Sequence, residues 1–193
     1  MQLSRRTMLS SLSCIAGALM GPMGNASGQV SRMTAYAFSF DGLDGQPIGV
    51  DDHAGKPILI VNTASQCGYT PQYAGLQDLW TRYRDRGLFM VAVPSNDFGG
   101  QEPGGATEIE QTVHGQYHVG FPVAAKVAVR GANQHPLYKW AAAERPLEVP
   151  RWNFHKYLIG RDGHIAASFP SAVEPMDGKL LAALGRQLES APA

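Results

Sequence analysis

Cysteine is scarce in this chain: among 193 residues only Cys14 and Cys67 carry a thiol. A disulfide scaffold is therefore excluded for any product that has lost its first segment, because Cys67 alone cannot close an internal bridge. Charge of one sign is also missing, with 16 Lys and Arg against 16 Asp and Glu and no basic block. Nothing in that balance predicts an electrostatic footprint for nucleic acid or an anionic membrane, and small uncharged partners fit better. No apolar run reaches the ~20 residues of a spanning helix. The longest such stretch lies near the N-terminus and is broken by Gly17, Gly21 and Pro22. The six histidines lack the paired spacing with cysteine or carboxylate that a closed zinc site needs. His114 and His118 lie four apart on an expected helix with no third ligand, so they read as a solvated face and no metal is expected. No Ser-His-Asp arrangement can be argued. No Lys-Ser or Lys-Thr pair follows Gly99, Gly100, Gly104 and Gly105, so these glycines read as a tight loop rather than a phosphate cradle.

What is present begins with Ser4-Arg5-Arg6-Thr7-Met8-Leu9, followed by small and apolar residues to about Gly24. This resembles an export signal of the twin-arginine type, which carries folded proteins across the bacterial inner membrane. Residues 1–27 are expected to be that signal, with a periplasmic product starting near Ser27. The alternative is an inner-membrane anchor by an uncleaved signal. Removal leaves about 165 residues, 28–193, the size of one domain with a proper core. No repeat or interdomain linker interrupts them.

Ile58-Leu59-Ile60-Val61 reads as a strand buried on both faces. Pro71, then Leu76, Leu79, Trp80 and Tyr83 at helical spacing, reads as the helix behind it. Cys67 falls at the turn between them. Unpaired backbone N–H groups and the helix dipole favour an anion there, so a reactive thiolate is expected rather than an inert buried cysteine. Leu88 to Val93 completes a right-handed βαβ unit. An N-terminal hairpin is expected across Tyr36–Phe40 and Pro47–Val50, a helix over about 107–117, a weaker strand near 125–129 and a helix opened by Pro136. A closing hairpin is expected across Lys156–Ile159 and His164–Phe169, and a last amphipathic helix carries Leu180, Leu181, Leu184 and Leu188. The order suits a thioredoxin-like α/β fold with a central mixed sheet flanked by helices.

Three segments then resemble the glutathione peroxidase family: Asn62-Thr63-Ala64-Ser65-Gln66-Cys67-Gly68-Tyr69-Thr70, Pro94-Ser95-Asn96-Asp97-Phe98-Gly99-Gly100-Gln101-Glu102-Pro103-Gly104 and Trp152-Asn153-Phe154-His155-Lys156-Tyr157-Leu158-Ile159. The likeness runs from about Tyr36 to Glu189 in order and spacing. It implies a thiol-dependent peroxidase that reduces hydrogen peroxide and organic or lipid hydroperoxides. By resemblance Cys67 matches the peroxidatic residue, Trp152 and Asn153 match two further members of a catalytic tetrad, and Asp97 stands where the family's glutamine is expected.

The chemistry asks for a sulfur held anionic and for donors to the departing oxygen. Trp152 offers an indole N–H and Asn153 an amide that donates as well as accepts. Asp97 is a departure, because an ionised carboxylate only accepts and adds a like charge. Either it holds a proton and passes it on, or it turns away and binds backbone. A second departure concerns turnover: Val113 or a neighbour occupies the place of a resolving cysteine. No cofactor is expected; an external thiol such as glutathione or a thioredoxin-like protein must reduce the oxidised Cys67. The short segment Ala143 to Arg151 resembles members without an oligomerisation loop, which implies a monomer whose open site admits membrane lipid hydroperoxides. The competing readings are a non-catalytic redox sensor and a thiol-disulfide exchange protein. The latter is weakened by Thr70 standing where a partner cysteine would sit.

Overall fold

The structure, a computed structural model, describes residues 33 to 189. The export segment expected over residues 1–27 lies outside them. Strand β1 (Ser39–Asp41) pairs antiparallel with β2 (Pro47–Gly49) as the expected N-terminal hairpin. Strand β3 (Ile58–Thr63) leads through the cysteine turn into helix α1 (Gln72–Tyr83), and β4 (Phe89–Pro94) returns parallel to β3. Helix α2 (Ala106–Glu110), helix α3 (Pro136–Glu144), strands β5 (Lys156–Ile159) and β6 (Ile165–Phe169) and helix α4 (Gly178–Glu189) follow. The main sheet has the order β4-β3-β5-β6, with β5 antiparallel to both its neighbours.

Because β3 is central, both its faces must be covered, and every residue of its apolar run is buried. Leu59 and Val61 pack with Leu76 and Leu79 of α1 and with Leu180 and Leu184 of α4. Ile58 and Ile60 face the other way, against Phe40, Leu137, Tyr138 and Ala141. Each such aliphatic side chain contributes about 1.5–3 kcal/mol by leaving water. Packing on both faces fixes the end of β3, and so fixes where the cysteine turn begins.

One expectation is corrected. The segment 125–129 is not a strand. Its backbone partners come from separate places: Ala125 N donates to Asp41 O, Val127 N to Pro94 O and Val129 N to the Asp97 carboxylate. No single ladder can form from such scattered acceptors. The helix expected over 107–117 changes type after Glu110, continuing as a π-helix over Gln111–Gln116 in which Tyr117 N donates to Thr112 O. Thr112 Oγ1 donates back to Glu108 O, one of the local bonds that loosens an α-helical ladder at such a place. No helix of the described residues is long and apolar enough to cross a membrane.

Candidate active site

Cys67 lies in a turn tied down at both ends. Cys67 N donates to Thr70 Oγ1 at 3.0 Å, Thr70 N donates to Cys67 O at 2.9 Å, and Thr70 Oγ1 donates to Ala64 O at 2.8 Å. Thr70 is thus the strut of the turn. The Cys67 sulfur accepts the backbone N–H of Tyr69 at 3.4 Å. It is a free thiol and only 7% exposed. Helix α1 starts five residues later, aiming its first N–H groups towards this turn.

The turn is bonded to the Gly-rich loop. Gln66 N donates to Gln101 O at 2.9 Å, while Ser65 N and Oγ both donate to Glu102 Oε2, at 2.9 and 3.0 Å. Burial pushes the Glu102 carboxyl up, and the two Ser65 bonds oppose that shift. Lys126 Nζ holds the loop from outside through Glu102 O and Gly104 O.

Asn153 is fully buried. Its Nδ2 donates to Gln101 Oε1 at 3.0 Å and to Phe98 O at 3.4 Å. That bond uses one lone pair of the Gln101 amide oxygen, and the N–H groups of the same amide remain able to donate. Trp152 is 39% exposed, its ring tilted against Phe98 at 5.9 Å between centroids. Gly99 has φ +68°, and a Cβ there would stand 3.3 Å from Trp152 Cη2, so glycine at this position serves both the turn and the close approach of the indole.

Asp97 bonds elsewhere. Its Oδ2 accepts from Val129 N at 2.6 Å and Arg130 N at 3.1 Å, and the Arg130 guanidinium donates to Asp97 O while lying 4.8 Å from the Phe98 ring centre. The carboxylate is spent on backbone, the second of the two outcomes open for it. The amide that meets Asn153 belongs to Gln101, four residues further on. The signal for it was in the sequence: the chemistry wants a neutral donor, and Gln101 supplies one in the same loop. The other residues that frame the site without having been singled out are Asn62, Tyr69 and Glu102.

Beside Tyr69 and Trp152 lies an open groove of about 480 Å³, walled by Leu147, Val149, Pro170 and Ala172, with Arg151 at its rim and His155 on its floor. His155 is buried, and its ring nitrogen lies 3.0 Å from Ser168 Oγ. Burial, helped by the neighbouring Lys156 charge, pushes the imidazole down to about 4, so it is neutral near pH 7. Lys156 Nζ is itself buried on Gln72 Oε1 and Val173 O, at 2.6 Å each, and burial brings it down to about 8. Among the described residues no group of His, Cys, Asp and Glu is arranged to hold a metal.

The family model for glutathione peroxidase matches residues 35–142. The chain is 46% identical over 151 residues to the hydroperoxy fatty acid reductase gpx1 of Synechocystis sp., covering 74% of this chain and 89% of that protein. It is 41% identical over 135 residues to the glutathione peroxidase-like peroxiredoxin HYR1 of Saccharomyces cerevisiae, covering 68% and 83% respectively. Among solved structures, the apo form of Trgpx superposes with a TM-score of 0.68 at 30% identity, covering 83% of this chain and 99% of the other. A thioredoxin-family thiol:disulfide interchange protein of Chlorobium tepidum, 14% identical with a TM-score of 0.58, shares the fold.

Proposed function

Because the chain belongs to the glutathione peroxidase family and is a thiol-dependent hydroperoxide reductase, we propose that Cys67 is its attacking sulfur and that Gln101, Trp152 and Asn153 are the donors around it. The Cys67 thiolate attacks the terminal oxygen of R–O–O–H. The S–O bond forms as the O–O bond breaks, leaving sulfenic acid on Cys67 and RO⁻, which takes a proton and leaves as alcohol or water. An external thiol then condenses with the sulfenic acid to a mixed disulfide with loss of water, and a second thiol opens it, returning Cys67 and releasing a disulfide. The observation that carries this reading is the bonded path from Cys67's own turn, through Gln66 N and Gln101 O, to the Gln101–Asn153 amide pair.

An external thiol is required because no cysteine follows Cys67 in the sequence, and Val113 or a neighbour stands at the place of a resolving cysteine. Glutathione or a thioredoxin-like protein would serve. The apolar groove beside Trp152 suits the organic part of a lipid hydroperoxide, and the relative named hydroperoxy fatty acid reductase supports that preference. The protein acts as a monomer in the periplasm, after export through residues 1–27. Turnover of hydrogen peroxide with added glutathione or reduced thioredoxin tests the reading: the intact protein should consume peroxide catalytically and Cys67→Ser should not. Oxidation of Cys67 once, without turnover by any thiol, would replace it with the sensor reading.

A further inference from the structure

At the end of β3 the regular pairing with β5 stops. The ladder runs from Ile58 opposite Ile159 to Val61 opposite Lys156. Beyond it the chain carrying Trp152, Asn153 and Phe154 leaves the strand path, with Phe154 at φ +63°, a left-handed conformation that a bulky aromatic residue adopts only under external constraint. One residue supplies much of that constraint. Asn62, 1% exposed, donates its backbone N–H to His155 O at 3.2 Å and accepts from Phe154 N at 2.6 Å. Its side-chain Nδ2 donates to Trp152 O at 3.1 Å. The backbone bonds would survive replacement of the side chain. The third bond would not, and it holds the peptide that joins Trp152 to Asn153.

Asn62 also stands five residues before Cys67 on the same strand and turn. The sulfur and its donors are therefore referenced to a single buried amide. We infer that Asn62 is a positioning residue for hydroperoxide reduction, fixing the Trp152–Asn153 peptide relative to the cysteine turn; this rests on the assignment of those donors above. It touches neither substrate nor sulfur and acts only through the segment it holds.

The test is the second-order rate of Cys67 oxidation by hydrogen peroxide, followed by stopped flow, in Asn62→Asp and Asn62→Leu. Asn62→Asp keeps the shape and puts an acceptor against Trp152 O, so the comparison survives if Asn62→Leu does not fold. Both should lower the rate at least tenfold. In a background carrying both Trp152→Phe and Asn153→Ala the same substitutions should lower it less than twofold, because both groups being positioned are already gone. Alkylation by iodoacetamide, which has no departing oxygen to assist, should change less than threefold. A loss under threefold in the otherwise intact protein, an equal loss in both backgrounds, or a parallel loss of alkylation would overturn the inference. The intact protein reacting no faster than free cysteine would instead sink the peroxidase site itself.

Discussion

Asp97 and Gln101 lie four residues apart in one loop and bond to different partners, Asp97 to backbone N–H groups and Gln101 to the Asn153 amide. The Asp97 carboxylate satisfies two backbone N–H groups, so Asp97→Ala leaves both without a partner and should cost about 1–3 kcal/mol of stability while peroxide reactivity stays within about threefold. Gln101→Ala should keep the fold and slow Cys67 oxidation by about 100-fold, as loss of one preorganised donor does. Thermal melting and stopped-flow rates on the two variants separate the roles, and the reverse pattern would restore Asp97 to the site. His155 gives a second residue-scale prediction. In the unfolded chain its imidazole takes up a proton near the usual 6.5, but when folded only near 4, because burial opposes the charge. Between these values the unfolded state binds more protons, so stability present above pH 6.5 is lost as pH falls towards 4. The full effect is about 3 kcal/mol. Denaturation at pH 4 to 7 should show this slope, and His155→Gln should flatten it.

At the scale of elements, β3 and α1 were legible because burial leaves a periodic trace: a continuous apolar run for a strand covered on both faces, and helical spacing for Leu76, Leu79 and Tyr83. The position of Cys67 between them followed from that trace. The choice between Asp97 and Gln101 did not. Gly99 and Gly100 both have positive φ, so the loop reverses direction between the two residues, and no periodicity records which side chain then faces the cysteine turn. The segment 125–129 was illegible for a related reason, since its partners are split between Asp41 and the distant segment Pro94 to Asp97. The Gly99 geometry is itself testable. Gly99→Ala places a Cβ against the Trp152 ring in a left-handed conformation that costs about 1–2 kcal/mol, so it should both destabilise the protein and slow peroxide reduction. Unchanged rates in a folded Gly99→Ala protein would mean that the indole position does not matter.

Among the described residues, helices cover both faces of the four-stranded sheet, and the site sits where β3, the Gly-rich loop and the chain entering β5 converge. The groove beside it opens outward, and Leu147 at its wall is 85% exposed. On the proposed reading, a lipid hydroperoxide bound at Cys67 extends over that side chain, whereas hydrogen peroxide bound there is too small to do so. Leu147→Glu should therefore raise KM for a fatty acid hydroperoxide severalfold and leave the hydrogen peroxide reaction unchanged; equal effects on both substrates would remove the groove from substrate recognition. Most direct for the whole account is a single-turnover experiment on the reduced protein, mixing it with one equivalent of hydrogen peroxide and following intrinsic fluorescence, with intact mass read afterwards. The account predicts second-order oxidation far faster than that of free cysteine, one added oxygen on Cys67, and no reaction in Cys67→Ser. A rate no greater than that of free cysteine would contradict it.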